Sequence, residues 1–292
     1  MKSKWLTIVL ILVMVAGLSL LLYPSFASYW NSKHATKTIA TYSEDVSALK
    51  EEEINELWQA AVDYNKHFRG GSGANGTMTE EELAKYYSIL DIGGTGMMGF
   101  IDIDSLDVSL PIYHGTSDGI LQVASGHLDW TSLPVGGEST HCVISGHRGL
   151  PSAKLFSDLD KLHEGQTFTL TILNTVLTYE IDQIRIVEPQ NVNDLLIVPG
   201  MDYCTLVTCT PYGINTHRLL VRGHRIATPE NTPGARVVSE AMQIEPLVVA
   251  SIMAVLPLVV LMTLVFTRKK KSPLLTEVKK REKTDETALS DH

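Results

Sequence analysis

The stretch TLVTCTPYGINTHRLLVRGH, residues 205–224, decides the reading of the fold. TLVTC is a short apolar run of strand-forming residues. TPYGIN follows with Pro211, Gly213 and Asn215, which favour turns, and an apolar run returns from Arg218 to Ile226. If Arg218 opens an antiparallel strand, it stands across from Cys209 with their β-carbons roughly 5 Å apart. A guanidinium at that distance favours the thiolate, or donates hydrogen bonds to an oxyanion formed on a substrate carbonyl. The alternative is that Cys209 is a small buried apolar residue at a strand end, as free cysteines often are.

Upstream of this hairpin, short β-like runs are broken by Gly, Pro and Asn. Strands are expected near Gly99–Ile103, Asp107–Leu110, Cys142–Ser145, Thr167–Leu173, Leu177–Val187, Thr205–Cys209 and Arg218–Ile226, with one helix at about Ala153–Leu162. Short, closely spaced strands suggest a barrel or a sandwich. The run SGHRG places His147 on a glycine-flanked strand exit, where a side chain points into a cleft more readily than into a core. His127 and Trp130, after Gly126, read as structural or rim residues of a loop. His141 and Cys142 lie on the strand leading to His147, one face of which must be core. Arg148 and Arg222 are the rivals of Arg218 for a cationic role; Arg222 shares its strand parity but lies about 13 Å further along.

Cys142, His147, Cys204 and Cys209 offer four potential zinc ligands, but the spacing argues against a metal site. Five residues apart on one strand, Cys204 and Cys209 face opposite ways and are separated by roughly 16 Å, which also forbids their disulfide. No cofactor or metal is expected. A thiol left free in an oxidising compartment is more often one with a use.

Ahead of the strands, Glu44–Phe68 has apolar residues at mixed three- and four-residue spacing and reads as one amphipathic helix. It ends in the glycine-rich RGGSGANGT. Thr79 with Glu82 then forms a capping-box signature opening a second short helix to about Leu90.

The 292 residues hold 44% hydrophobic and 20% charged side chains, which excludes disorder throughout. Hydrophobicity concentrates in two uncharged runs, Trp5–Tyr23 and Pro246–Phe266, each long enough to cross a bilayer. Lys2 and Lys4 precede the first, and Arg268, Lys269, Lys270 and Lys271 follow the second, so the positive-inside bias puts both termini in the cytoplasm and everything between on the extracellular face. Ser25-Phe26-Ala27 also offers a processing site, which would make the first run a cleaved signal; the uncleaved anchor is preferred. The two ends carry +2 and +3 of a net charge of −9, leaving −14 on the external part, and such an acidic domain excludes nucleic acid as a partner. The expected order is an anchor or signal (1–30), a helical extension (31–92), a catalytic β-domain (93–228), a linker (229–245), a membrane helix (246–267) and a cytoplasmic tail (268–292).

TLVTC with Arg218 behind it and SGHRG ahead of it resembles the sortases, cysteine transpeptidases of Gram-positive bacteria. The longer strings LPIYHGTS, GHLDWTSLPVGGESTH and SGHRGLPSAKLFSDLDKL resemble their class C, pilus-assembling branch, over about Met98–Ile226. The resemblance implies an all-β core closed into an eight-stranded barrel, with Cys209 as nucleophile, His147 as general acid and base, and Arg218 as the cation orienting the carbonyl. Thr208 and Thr210, beside the cysteine, become substrate-binding candidates. The implied partners are pilin subunits with C-terminal LPxTG-like sorting signals, the acceptor lysine of another pilin, and membrane lipid. The alternatives are a sortase that attaches proteins to the peptidoglycan precursor, and a non-catalytic scaffold tethered to the membrane that binds pilins.

One departure stands out against that branch, whose members usually carry a lid with an Asp-Pro-aromatic motif. KHFRGGSGANGTMTEEE has no Asp-Pro. An open, glycine-hinged cover is expected instead, for which Phe68 is the nearest aromatic, although Phe68 also reads as the last apolar position of the preceding helix.

Overall fold

The computed structural model describes residues 2–68 and 78–229. The glycine-rich hinge expected of a cover (69–77), most of the linker, the second apolar run and the charged tail lie outside the described residues.

Eight strands close into a barrel in the order β1-β2-β3-β4-β7-β8-β6-β5: β1 Met97–Ile103, β2 Val108–His114, β3 Ser125–His127, β4 Thr140–Ser145, β5 Thr167–Ile172, β6 Thr175–Val187, β7 Asp202–Thr210 and β8 His217–Ile226. Closure leaves no edge strand to be shielded from other chains. Side chains of one parity fill the barrel: Ile101 from β1, Ile144 from β4, Phe168 and Leu170 from β5, Leu206 from β7 and Val221 from β8 are all buried, while Phe100, on the opposite face of β1, is buried against Tyr42 of the first helix.

Seven strands fall where the alternating pattern puts them, most of them longer by one to four residues. The eighth, β3, has three residues, SGH, too few to show a period. His127 is therefore no loop residue. It is fully buried in β3, bonded through Nδ1 to the Tyr86 hydroxyl (2.9 Å) and through Nε2 to the Ser132 carbonyl (2.8 Å).

No helix forms over 153–162. The segment is a run of turns with a single 3₁₀ turn at Leu159–Lys161, and Leu155 adopts a positive φ of 40° that no α-helix accommodates. Its helix-like spacing has another cause: Ala153, Leu155, Phe156, Leu159 and Leu162 are all buried in the barrel's core cluster. Tertiary packing overrides the local pattern.

The single amphipathic helix expected over 44–68 is divided. Helix α1 runs Lys2–Ala48 and α2 runs Glu51–His67. The break falls where Glu51, Glu52 and Glu53 begin: acidic side chains stabilise a helix start, and the Glu53 carboxylate accepts the backbone N–H of Lys50 at 2.9 Å. Phe68 ends α2 half-buried, with its ring stacked on Tyr64 at 5.9 Å. Helix α3, Glu80–Ser88, opens on the reciprocal Thr79–Glu82 capping box. A further short helix, α4, spans Asp118–Leu121.

These helices are fastened to the barrel through buried polar side chains. Asn65 of α2 donates to the Leu133 carbonyl (3.0 Å) and accepts the Leu133 N–H (2.8 Å), as a strand neighbour would. From α1, Ala35, Ile39, Tyr42 and Val46 form a buried stripe. The Tyr42 hydroxyl donates to the Met98 carbonyl (2.8 Å) and accepts the Leu173 N–H (2.9 Å), while burial pushes its pKa up to about 12. Tyr42→Phe leaves two buried backbone groups unpaired and should cost about 1–3 kcal/mol in denaturant unfolding of the full chain.

Candidate active site

The site follows from the strand neighbours of β7. On one side β7 pairs in parallel with β4, Thr140 opposite Asp202 through Ser145 opposite Val207. The ladder continues past the end of β4, because the Gly146 N–H bonds the Val207 carbonyl at 3.1 Å. His147 thus comes level with Cys209. On the other side β7 pairs antiparallel with β8, and Cys209 is opposite Arg218. Three neighbouring chain segments, about 4.8 Å apart, therefore carry an imidazole, a thiol and a guanidinium at one height and one parity.

That parity is the outer one. Val143 of β4, Val207 of β7 and Leu220 of β8 share it, yet all three are buried, beneath Leu195 of the β6–β7 connection and with Leu128, Trp130 and Val187 packed around them. Cys209 and His147 are half-buried at the open end of this apolar strip. The strip was not singled out from the sequence, because both faces of TLVTC are uncharged and nothing local marks which one lines the barrel.

The three cysteines separate by parity. Cys142 and Cys204 are register partners on β4 and β7, fully buried inside the barrel, where burial pushes the Cys204 thiol well up. They face away from Cys209 and His147, so the four zinc candidates do not converge. Among the described residues no group of three or more His, Cys, Asp or Glu could hold a metal ion.

The arginines separate by their partners. Arg222 makes a bidentate pair with Asp182 (both contacts 3.0 Å) and lies 4.2 Å from the Tyr203 ring centroid. Arg148, with only 9% of its side chain exposed, bonds Asp160 at 2.6 Å and the Thr210 hydroxyl at 3.2 Å. Arg218 alone of the three meets no carboxylate: its Nη1 donates to the carbonyls of His217 (3.1 Å) and Asn215 (3.3 Å). Such backbone contacts leave the remaining guanidinium donors for an incoming oxygen.

Thr208 and Thr210 sit on the inner parity, buried. The Thr208 hydroxyl donates to the Gly146 carbonyl at 2.8 Å, and Thr210 accepts from Arg148. The residues flanking Cys209 are thus bonded to those flanking His147, which braces the two chain segments against each other. The brace requires Gly146 to lack a side chain, since a β-carbon there would come within 2.6 Å of the Phe156 ring. His141, on the outer face, is held by the Leu196 carbonyl (2.9 Å) and the Thr205 hydroxyl (2.7 Å); burial lowers its pKa to about 4 and keeps it neutral. It latches the β6–β7 connection to the barrel wall.

A thiol beside an imidazole and a guanidinium, at the mouth of an apolar strip, is equipped for acyl transfer from an extended peptide. Comparison with known proteins agrees. Residues 101–226 match the sortase domain family. The crystal structure of sortase C1 from Streptococcus agalactiae is 52% identical, covering 66% of this chain and all of that one, with a TM-score of 0.64. Sortase C of Streptococcus pneumoniae is 43% identical over 66% of this chain and 97% of that structure, with a TM-score of 0.60. Sortase A of S. agalactiae is 32% identical over 137 residues, which span just over half, 55%, of that relative. Fold, site geometry and these similarities lead to one conclusion: the chain belongs to the sortase family of cysteine transpeptidases, alongside its class C members.

Proposed function

We propose that this chain is a pilin polymerase, anchored in the membrane with its barrel on the extracellular face. Cys209 is the nucleophile, His147 the general acid and base, and Arg218 the cation that orients the carbonyl. The supporting observation is the register that sets these residues side by side on β4, β7 and β8 at the end of the apolar strip.

The Cys209 thiolate attacks the Thr carbonyl of an LPxTG-like sorting signal, and Arg218 donates hydrogen bonds to the oxygen as it becomes anionic. The Thr–Gly carbon–nitrogen bond breaks, His147 protonates the departing amine, and the pilin is left as a thioester. A lysine amine of a second pilin then attacks that thioester, giving its proton to His147. The carbon–sulfur bond breaks, an isopeptide bond remains and the thiolate returns. Thr208 and Thr210 serve this chemistry as the brace between the Cys209 and His147 segments.

Incubating the full chain in detergent with a sorting-signal peptide should yield a thioester adduct at Cys209 by mass spectrometry. With purified pilin it should give a covalent ladder on a denaturing gel. A single adduct to peptidoglycan precursor without any ladder would assign wall attachment instead.

Arg218→Lys keeps the charge but loses the planar fork, and should lower kcat/KM for the peptide about 10²-fold. Arg222→Lys disturbs a pair with Asp182 and a stack on Tyr203, about 13 Å along the strand, and should cost less than about 5-fold. The reverse order would move the role to Arg222.

A further inference from the structure

Helix α1 is continuous across two environments. Between Trp5 and Trp30 many of its described large apolar side chains are exposed, Leu20 and Leu21 among the most open, and the helix has the length and hydropathy of a membrane span. From Ala35 to Val46 its buried stripe is locked onto the barrel. No loop separates the two parts; the helix runs on through Pro24, so the span leads directly into the docked half.

Strand direction then says which end of the barrel faces the bilayer. β1 is antiparallel to β5, β5 to β6, β6 to β8 and β8 to β7, while β7 is parallel to β4. Hence β1, β4, β6 and β7 all run toward one rim, ending at Ile103, Ser145, Val187 and Thr210. This rim carries Cys209, His147 and the β1–β2 turn. Helix α1 meets it at the membrane side of the docked half. Asn31 donates to the Ser152 carbonyl at 2.8 Å, five residues past His147, and nearby Lys154 bonds the Leu106 carbonyl of the β1–β2 turn at 3.0 Å. The far end of the docked half, at Tyr42, grips Met98 and Leu173 at the opposite rim.

The spacing along the helix is short. Asn31 stands eight residues past Tyr23, about 12 Å at 1.5 Å per residue. Tyr23, Phe26, Tyr29 and Trp30 fill that interval with exposed aromatic rings, the residue type that settles at headgroup depth. A second, independent feature points the same way. Outside α1, the three most exposed large apolar side chains among the described residues are Ile214 (69%), Ile186 (64%) and Tyr212 (63%). All three lie on the catalytic rim, in the β7–β8 turn and at the end of β6.

We infer that the barrel stands with its catalytic rim against the outer leaflet, where Tyr212, Ile214 and Ile186 contact the phospholipid headgroup layer. Peptide therefore enters the site from the bilayer surface. The inference rests on the membrane-anchor reading given above.

The full chain, in the Cys209→Ala background, is labelled with a polarity-sensitive fluorophore at Tyr212→Cys, at Ile214→Cys, or at Asn174→Cys in the β5–β6 turn of the opposite rim. Each protein is reconstituted in phosphatidylcholine–phosphatidylglycerol vesicles containing a lipid spin-labelled on its headgroup. Quenching at 212 and 214 should exceed that at 174 by at least 3-fold. Equal quenching at both rims in protein that floats with the vesicles overturns the orientation while leaving the anchor intact. Protein that fails to float overturns the anchor reading, and the orientation with it.

Discussion

Replacing Cys209 by alanine should lower sorting-peptide turnover by about 10⁴-fold or more and abolish the covalent adduct, because removal of a nucleophile leaves only binding and oxyanion stabilisation. No other thiol can take its place. Cys142 and Cys204 lie inside the barrel on the opposite parity and are at most 1% exposed. The half-buried site of Cys209 is not part of the core cluster, so the unfolding midpoint should move little. Peptide cleavage assayed by chromatography, intact-protein mass spectrometry and thermal unfolding together test this. Full activity of Cys209→Ala would return Cys209 to the role of a strand-end apolar residue.

His147→Asn should cost about 10³-fold in kcat for both halves of the reaction, since the amide preserves polarity but carries no transferable proton. The neighbouring histidines offer no substitute. His114, His127 and His141 are buried, and each has both ring nitrogens engaged by hydrogen-bond partners. His147 alone of these makes no side-chain hydrogen bond among the described residues and stands level with the thiol. Single-turnover kinetics should show thioester formation and aminolysis both slowed. A loss confined to one half-reaction would mean that a second group handles the other proton. Activity within 10-fold of the parent would remove the acid–base assignment altogether.

Much of the candidate site was legible because its signals are local. The β7–β8 hairpin is written in TLVTC, the Pro-Gly-Asn turn and the returning apolar run, and that turn length sets Cys209 opposite Arg218. SGHRG marked a strand exit. The choice among three arginines was not legible, since Asp182 and Asp160, which engage Arg222 and Arg148, are far away in sequence or on unpatterned turns. Nor was the brace, because it joins Gly146 and Arg148 to Thr208 and Thr210 across 62 residues.

The misreadings have the same origin. Leu155, Phe156, Leu159 and Leu162 repeat at helical intervals because they pack into the barrel core from a folded turn, and a periodicity count cannot tell that from one face of a helix. The three residues of β3 show no period at all; they become a strand only because β2 and β4 are there to pair with them.

By itself the sequence determined the apolar first span, seven of the eight strands and the hairpin that sets Cys209 opposite Arg218. All of these depend on residues within a few positions of one another. Closure of the strands into a ring, which their spacing left open between barrel and sandwich, was implied by the family resemblance and is borne out; the tertiary structure alone decided which side of β7 is outside, which cysteines are sealed within and which rim the first helix approaches. Strand parity is a local property. The neighbour that gives each parity its meaning is brought in by the rest of the chain.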